Sequence, residues 1–335
     1  MTWAQDSIVP ADSSFIQYSG RVDFSDPKAP KFDWPGISIN VGFKGASLGF
    51  LLDDLGNNYD VQVDGKPVTV WVTSRNTSLY TVTVPTGEHL LRVVKRTEAL
   101  FGGCTFKGIS LPKDTTLFRA PDPPNRRIEI IGDSYLCGYG VESNTVQCDS
   151  LRPYENADKA FGSLVAQDLG AEYHLEAFSG KGVVRNWGDK QTRSVDPFPP
   201  LFDQSLCRDP KSVLDFNKWV PHAVIVHLGL NDISTQPMAN EKEFAHAYMD
   251  LLKHIRDKYP KAVIFCVTPE GWPGLTPLVE KVVEKRNSAG DKSVHLLTYP
   301  AVPSDLLGCD SHPNAIAQRR IADALIPVIK ETLYW

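Results

Sequence analysis

The chain of 335 residues contains no apolar run approaching the ~18 residues that a membrane-spanning helix requires, so no transmembrane segment is expected. It also lacks an excess of basic charge. Lys and Arg number 35 against 40 Asp and Glu, a formal net charge of −5, which leaves no electrostatic footprint for nucleic acid. The six cysteines (Cys104, Cys137, Cys148, Cys207, Cys266 and Cys309) are too few and too scattered for a disulfide scaffold. None forms a C-x-x-C pair and no two histidines have metal-ligand spacing, so no metal site is expected. One or two disulfides remain open. Cys148 and Cys207, both in polar loop-like sequence, are the pair expected, whereas Cys266 lies in a core-strand pattern and reads as a buried thiol. Phosphate-binding loops, dinucleotide fingerprints and H-E-x-x-H are missing, so phosphoryl transfer, hydride transfer and zinc hydrolysis have no support and no cofactor is expected. The opening Met1-Thr2-Trp3-Ala4-Gln5-Asp6 has neither a basic nor an apolar signal-peptide region. Two readings stay open: a cytosolic chain, or a secreted one whose signal peptide has been trimmed. Asn76-Thr77-Ser78 is a glycosylation sequon, a pattern frequent by chance.

What is present divides in two. Stretches such as Ser38–Phe43, Tyr59–Val63 and Leu79–Val84 alternate with period two and are rich in β-branched and aromatic residues. Turn signals separate them at Asp64-Gly65-Lys66-Pro67, Pro85-Thr86-Gly87 and Gly102-Gly103. Many short strands with regular turns predict an antiparallel β-sandwich over residues 1–120. Ala120-Pro121-Asp122-Pro123-Pro124-Asn125 is a stiff connector. Beyond it, over 126–335, strand-like runs alternate with amphipathic helices, which predicts a parallel sheet covered by helices on both faces. The clearest helix has Asn240 as N-cap with Glu243 three residues on, and sets Phe244, Tyr248, Leu251, Leu252, Ile255 and Tyr259 on one face. Pro313 is expected to begin the last helix, where its missing N–H costs nothing.

Three segments at strand ends carry chemistry. Gly132-Asp133-Ser134 follows the apolar run Ile128–Ile131, Gly229-Leu230-Asn231-Asp232 follows Ala223–Leu228, and Asp310-Ser311-His312-Pro313 precedes the final helix. A serine hydroxyl is a poor nucleophile until a base takes its proton, and His312 is the candidate base. Acyl transfer also needs donors aimed at the oxygen that becomes negative. The Asn231 amide, the Ser134 N–H and a backbone N–H from Ser179-Gly180-Lys181-Gly182 are the candidates. Asp133 reads as a brace for the turn. Gly45-Ala46-Ser47-Leu48-Gly49 matches the G-x-S-x-G elbow, but it lies between β-rich runs and not at a strand-to-helix turn, so it is dismissed.

Ser134, Gly180, Asn231 and His312, in that order, resemble the four blocks of the GDSL/SGNH hydrolase superfamily. With their flanks Cys137-Gly138-Tyr139-Gly140, Val183-Val184-Arg185-Asn186 and Gly308-Cys309-Asp310, they look like carbohydrate esterase family 2. Tyr18–Phe24 leading to Trp34-Pro35-Gly36 is similar to that family's N-terminal jelly-roll. The resemblance implies a flavodoxin-like three-layer α/β hydrolase domain behind a jelly-roll, and secretion. It implies cofactor-free removal of acetyl groups from plant cell-wall polysaccharide, xylan above all. In the superfamily the acid stands three residues before the histidine; that position is Cys309 here, and Asp310 lies two before. Either Asp310 or a main-chain carbonyl orients His312. Ser311 stands where close relatives are expected to carry a large aromatic. Trp187 and Trp272, on loops at the catalytic end of the sheet, are the expected sugar platforms, since flat aromatic faces match pyranose rings. The alternatives are a lipase, a thioesterase or another sugar O-acetylesterase with the same machinery, and a polysaccharide-binding protein with an inert hydrolase domain. Oligomeric state is not legible.

Overall fold

The computed structural model describes residues 7–335; the reading of Met1–Asp6 falls outside the described residues. The chain forms two compact units, one running to Pro123 and including Ser205–Val213, the other comprising Pro124–Gln204 and Leu214–Trp335. No helix among the described residues is long and apolar enough to cross a membrane.

The first unit is antiparallel. Its strands are β1 (Ser7–Val9), β2 (Gln17–Ser19), β3 (Lys31–Phe32), β4 (Ser38–Leu55), β5 (Asn58–Val63), β6 (Lys66–Val72), β7 (Arg75–Lys95), β8 (Cys104–Leu111) and β9 (Thr116–Phe118). They hydrogen-bond in the order β1-β8-β4-β7-β5-β6, with β2 and β9 also on β4 and β3 on β8. β4 and β7 are long because each serves two strand sets. A register shift between Gly45 and Ser47 separates the part of β4 that pairs β2 and β9 from the part that pairs β8. The sets share a core: Trp71 of β6 packs on Phe50 of β4 with ring centroids 5.6 Å apart, and Phe50 on Phe106 of β8 at 5.3 Å. One expectation changes here, and the dismissal of the elbow match holds. Pro85-Thr86-Gly87, read as a turn, is an irregularity inside β7, where pairing passes from Gly45↔Gly87 to Ser47↔Thr83. Proline removes one ladder donor, but the partner strand runs on and carries β7 with it. The G-x-S-x-G match lies within β4, a strand and not an elbow.

The second unit has a five-stranded parallel sheet in the order β11-β10-β12-β13-β14. These are β10 (Arg126–Gly132), β11 (Ala171–Ala177), β12 (Ala223–His227), β13 (Val263–Pro269) and β14 (Val294–Tyr299). The helices are α1 (Ser134–Cys137), α2 (Phe161–Asp168), α3 (Leu230–Ile233), α4 (Glu241–Lys258), α5 (Thr276–Ser288) and α6 (Ala315–Leu333). α2 packs with α6, and α4 with α5. Because strand side chains alternate, Ile130, Ile225 and Phe265 share a core with Phe161 of α2 and Leu325 of α6, whereas the thiol of Cys266 meets the Tyr248 hydroxyl of α4. The expected face of α4 is buried, and the Asn240 side chain accepts the N–H groups of Lys242 and Glu243 at 3.0 and 3.3 Å. The last helix begins later than Pro313. Asn314 is its N-cap, accepting from Ile316 and Ala317 at 3.1 Å each, because a side-chain acceptor satisfies the first orphan donors that proline leaves untouched.

Candidate active site

Three adjacent strands end level. Gly132 of β10 pairs with Ala177 of β11 on one side and with His227 of β12 on the other. The connections from β10 thus diverge here, the switch point at which open α/β sheets form their crevices. Ser134 lies just beyond Gly132, Gly180 just beyond Ala177 and Asn231 just beyond His227.

Ser134 is the first residue of α1. Asp133 is its N-cap and accepts the Tyr135 N–H at 3.2 Å, as expected of a brace. His312, from the loop between β14 and α6, places Nε2 2.8 Å from the Ser134 Oγ. Its Nδ1 faces the Cys309 carbonyl at 3.2 Å. A carbonyl only accepts, so Nδ1 carries the hydrogen and a neutral ring offers a bare Nε2 to the serine hydroxyl. Burial lowers the His312 pKa, opposed by the Cys309 carbonyl and by the charges of Asp133 and Asp310. The ring is held as a free base near neutrality, the form that accepts a proton.

Asp310 is placed otherwise. Its carboxylate accepts the Tyr139 hydroxyl at 2.6 Å, and the ring of Tyr139 stacks on His312 at 4.2 Å between centroids. Cys309, through its main chain, occupies the position at Nδ1. The Cys309 side chain forms a disulfide with Cys148, Cα atoms 5.5 Å apart. This corrects the expected Cys148–Cys207 pair. Cys207 lies in the Ser205–Val213 segment of the first unit, its N–H on Asp33 Oδ1 at 2.8 Å, and is a buried thiol outside the disulfide, as is Cys266.

Of the oxyanion candidates, the Asn231 amide reaches the loop after β11 that carries Gly180. It donates to the Lys181 carbonyl at 2.9 Å and weakly to Asp133 Oδ2 at 3.4 Å. The N–H groups of Ser134 and Gly180 bond no other described residue. Gly182 needs its missing side chain, since a Cβ there would meet the Arg185 carbonyl at 2.0 Å and Asp232 Oδ2 at 2.6 Å. Asp232 is the residue that the sequence reading passed over. Fully buried, it accepts the N–H groups of Val183, Val184 and Arg185 at 2.8, 2.7 and 2.8 Å, and so ties the Gly180 loop to the end of β12. Burial pushes its pKa up to about 6 against those three donors. The buried Arg185 guanidinium adds a second tie, to the Asn231 carbonyl at 3.3 Å. Trp187 follows Gly180 and donates its N–H to the Gly180 carbonyl at 2.8 Å, with its side chain 64% exposed. Trp272, 36% exposed, lies in the turn beyond β13.

Residues 18–121 match the carbohydrate esterase 2 N-terminal family and residues 130–320 the GDSL-like lipase/acylhydrolase family. A family two carbohydrate esterase from Clostridium thermocellum, solved in complex with cellohexaose, superposes with a TM-score of 0.90. It is 32% identical over 96% of this chain and 99% of its own. The cellulase/esterase CelE of Acetivibrio thermocellus is 34% identical over 99% of this chain, which spans 41% of that protein's length. An acetylxylan esterase / glucomannan deacetylase of Cellvibrio japonicus is 28% identical over 98% of this chain and 93% of its own.

Proposed function

Since the chain belongs to carbohydrate esterase family 2, with a GDSL-like hydrolase domain, we propose that it is a serine esterase removing O-acetyl groups from plant cell-wall polysaccharide, acetylated xylan or a related hemicellulose. The observation that carries this reading is the 2.8 Å contact of His312 Nε2 with the Ser134 hydroxyl, at the level where three strands end. Ser134 Oγ attacks the acetyl carbonyl carbon while its proton passes to His312 Nε2. The charge that develops on the carbonyl oxygen is met by the N–H groups of Ser134 and Gly180 and by the Asn231 amide. Collapse breaks the bond to the sugar oxygen, which takes the proton from His312 and leaves an acetyl-serine. Water, deprotonated by His312, then repeats the attack and releases acetate. The Cys309 carbonyl holds the imidazole tautomer, with the Asp310 carboxylate adding its field across the Tyr139 ring. Trp187 and Trp272 form the sugar platforms. The Cys148–Cys309 bond supports a working place outside the reducing cytosol.

Acetate release from acetylated xylan, measured for wild type and Ser134→Ala with p-nitrophenyl butyrate as a control, tests the reading. Release by the wild type alone is the expected outcome. Butyrate cleavage without acetate release would keep the serine chemistry and overturn the polysaccharide substrate. Holding a glycan without turnover is a second reading, favoured by the exposed Trp187 and by the cellohexaose bound to the clostridial relative. Glycan binding by Ser134→Ala separates it from catalysis.

A further inference from the structure

Cys309 touches the site twice, once through each half of the residue. Its carbonyl faces His312 Nδ1 at 3.2 Å, and its sulfur is bonded to Cys148, 161 positions earlier in the chain. We propose that the Cys148–Cys309 disulfide is a positioning element for His312: it fixes the carbonyl that sets the tautomer and direction of the imidazole. The inference rests on the reading of His312 as the base.

The backbone between Cys309 and His312 explains why the carbonyl needs fixing. Asp310 and Ser311 are consecutive non-glycine residues with φ of 49° and 63°. Each such residue is strained and persists only where its surroundings hold it. Four local bonds shape the turn: Ser311 N–H to the Gly308 carbonyl at 3.1 Å, His312 N–H to Cys309 at 3.0 Å, Gly308 N–H to His312 at 2.7 Å and Asp310 N–H to Val146 at 2.8 Å. Of these only the last reaches the Cys148 loop, and the Tyr139 hydroxyl on the Asp310 carboxylate at 2.6 Å is a further tie from outside the turn. The covalent bond runs in parallel with both. The turn also abuts Gly140, where a Cβ would stand 2.7 Å from both the nitrogen and the Cβ of Cys309. Cys309 is therefore held both by close packing on a glycine backbone and by a sulfur bridge. Without the bridge, Asp310 and Ser311 relax toward ordinary φ and the Cys309 carbonyl turns away from Nδ1. The imidazole then samples the tautomer whose Nε2 carries the hydrogen and accepts nothing from Ser134.

The test is turnover of wild type before and after dithiothreitol, and of Cys148→Ala without reductant. The dithiol supplies two electrons and two protons, becoming a cyclic disulfide as Cys148 and Cys309 become thiols. Circular dichroism follows the fold, and the imidazole N–H resonance of His312 reports its tautomer. The expected result is a folded protein whose kcat falls between about tenfold and a hundredfold with KM little changed. The Nδ1–H signal is lost, and both return on reoxidation. Folded reduced enzyme and folded Cys148→Ala that keep wild-type kcat and the Nδ1–H signal would overturn the proposal. So would outright unfolding on reduction, which assigns the bond to global stability. Oxidised wild type inactive on every ester would sink the esterase reading instead, and the imidazole resonance would still decide whether the bond positions the ring.

Discussion

Replacing Asn231 by alanine separates the two roles that the structure gives this amide. As an oxyanion donor it acts only when charge develops on the acetyl oxygen, so its loss belongs in kcat and not in KM. Removing one such donor costs about 10²–10³-fold in turnover, or ~2.7–4 kcal/mol of transition-state stabilisation. The same Nδ2 braces the Gly180 loop through the Lys181 carbonyl at 2.9 Å. Losing that bond costs about 0.5–1.5 kcal/mol of stability, which moves the melting temperature of a unit this size by only about 2–4 °C for each kcal/mol. The two roles therefore differ in their readout: a large fall in kcat beside a small fall in Tm. Asn231→Asp sharpens the comparison, because the carboxylate keeps the shape but presents an acceptor to the developing oxyanion. It should be at least as slow as the alanine variant. Initial rates on a soluble acetyl ester, with thermal unfolding of the same samples, measure both. Near-normal kcat in Asn231→Ala would refute the assignment of this amide to the oxyanion hole. A raised KM with unchanged kcat would make it a ground-state contact.

Burial holds the His312 pKa below the ordinary 6.5, so the acid limb of kcat/KM should have its midpoint below pH 6.5, where the ring becomes an imidazolium that cannot accept the serine proton; an acid limb centred above 6.5 would contradict this. The same shift makes acid unfold the site, since a histidine buried neutral must charge as pH falls. Tyr139→Phe keeps the ring over His312 and removes the 2.6 Å bond to Asp310, so kcat should change by less than about tenfold, whereas Tyr139→Ala, which removes the ring that packs the imidazole in place, should cost more than that. Equal losses in the two would give the role to the hydroxyl. Asp232 has a folded pKa of about 6 against an ordinary 3.8, so folding takes up a proton. The penalty for its charge is absent below the lower value and complete above the higher. Wild type should therefore lose about 3 kcal/mol relative to Asp232→Asn between these limits, read by urea unfolding across that pH range. A difference independent of pH would mean that the three N–H donors keep the carboxylate ionised throughout.

Local signals at strand ends are the part of the site that the sequence discloses. Ser134, Gly180 and Asn231 each stand within four residues of the end of a parallel strand, so an apolar run with a polar turn behind it is enough to nominate them. Asp232 has the same local signal, yet its partners Val183, Val184 and Arg185 lie beyond β11, a strand on the far side of β10. Only the strand order brings them together. The histidine's orienting group is hidden for a different reason: every residue has a carbonyl, so no side chain at position 309 announces the one at Nδ1. What aims it is a left-handed pair, Asp310 and Ser311, at which sequence gives no glycine to mark the turn. Polarity alone ranked Cys207 with Cys148 because it does not register that Ser205–Val213 returns to the first unit. In the β unit, alternation reveals strands but not their length, since β7 continues through Pro85 only because β4 continues beside it. The missed features share one property: each depends on a backbone group meeting something distant in sequence. Side-chain identity therefore nominates the reacting atoms, Ser134 Oγ and His312 Nε2, while their aim is set by main-chain contacts that Asp232 and the Cys148–Cys309 bridge hold in place.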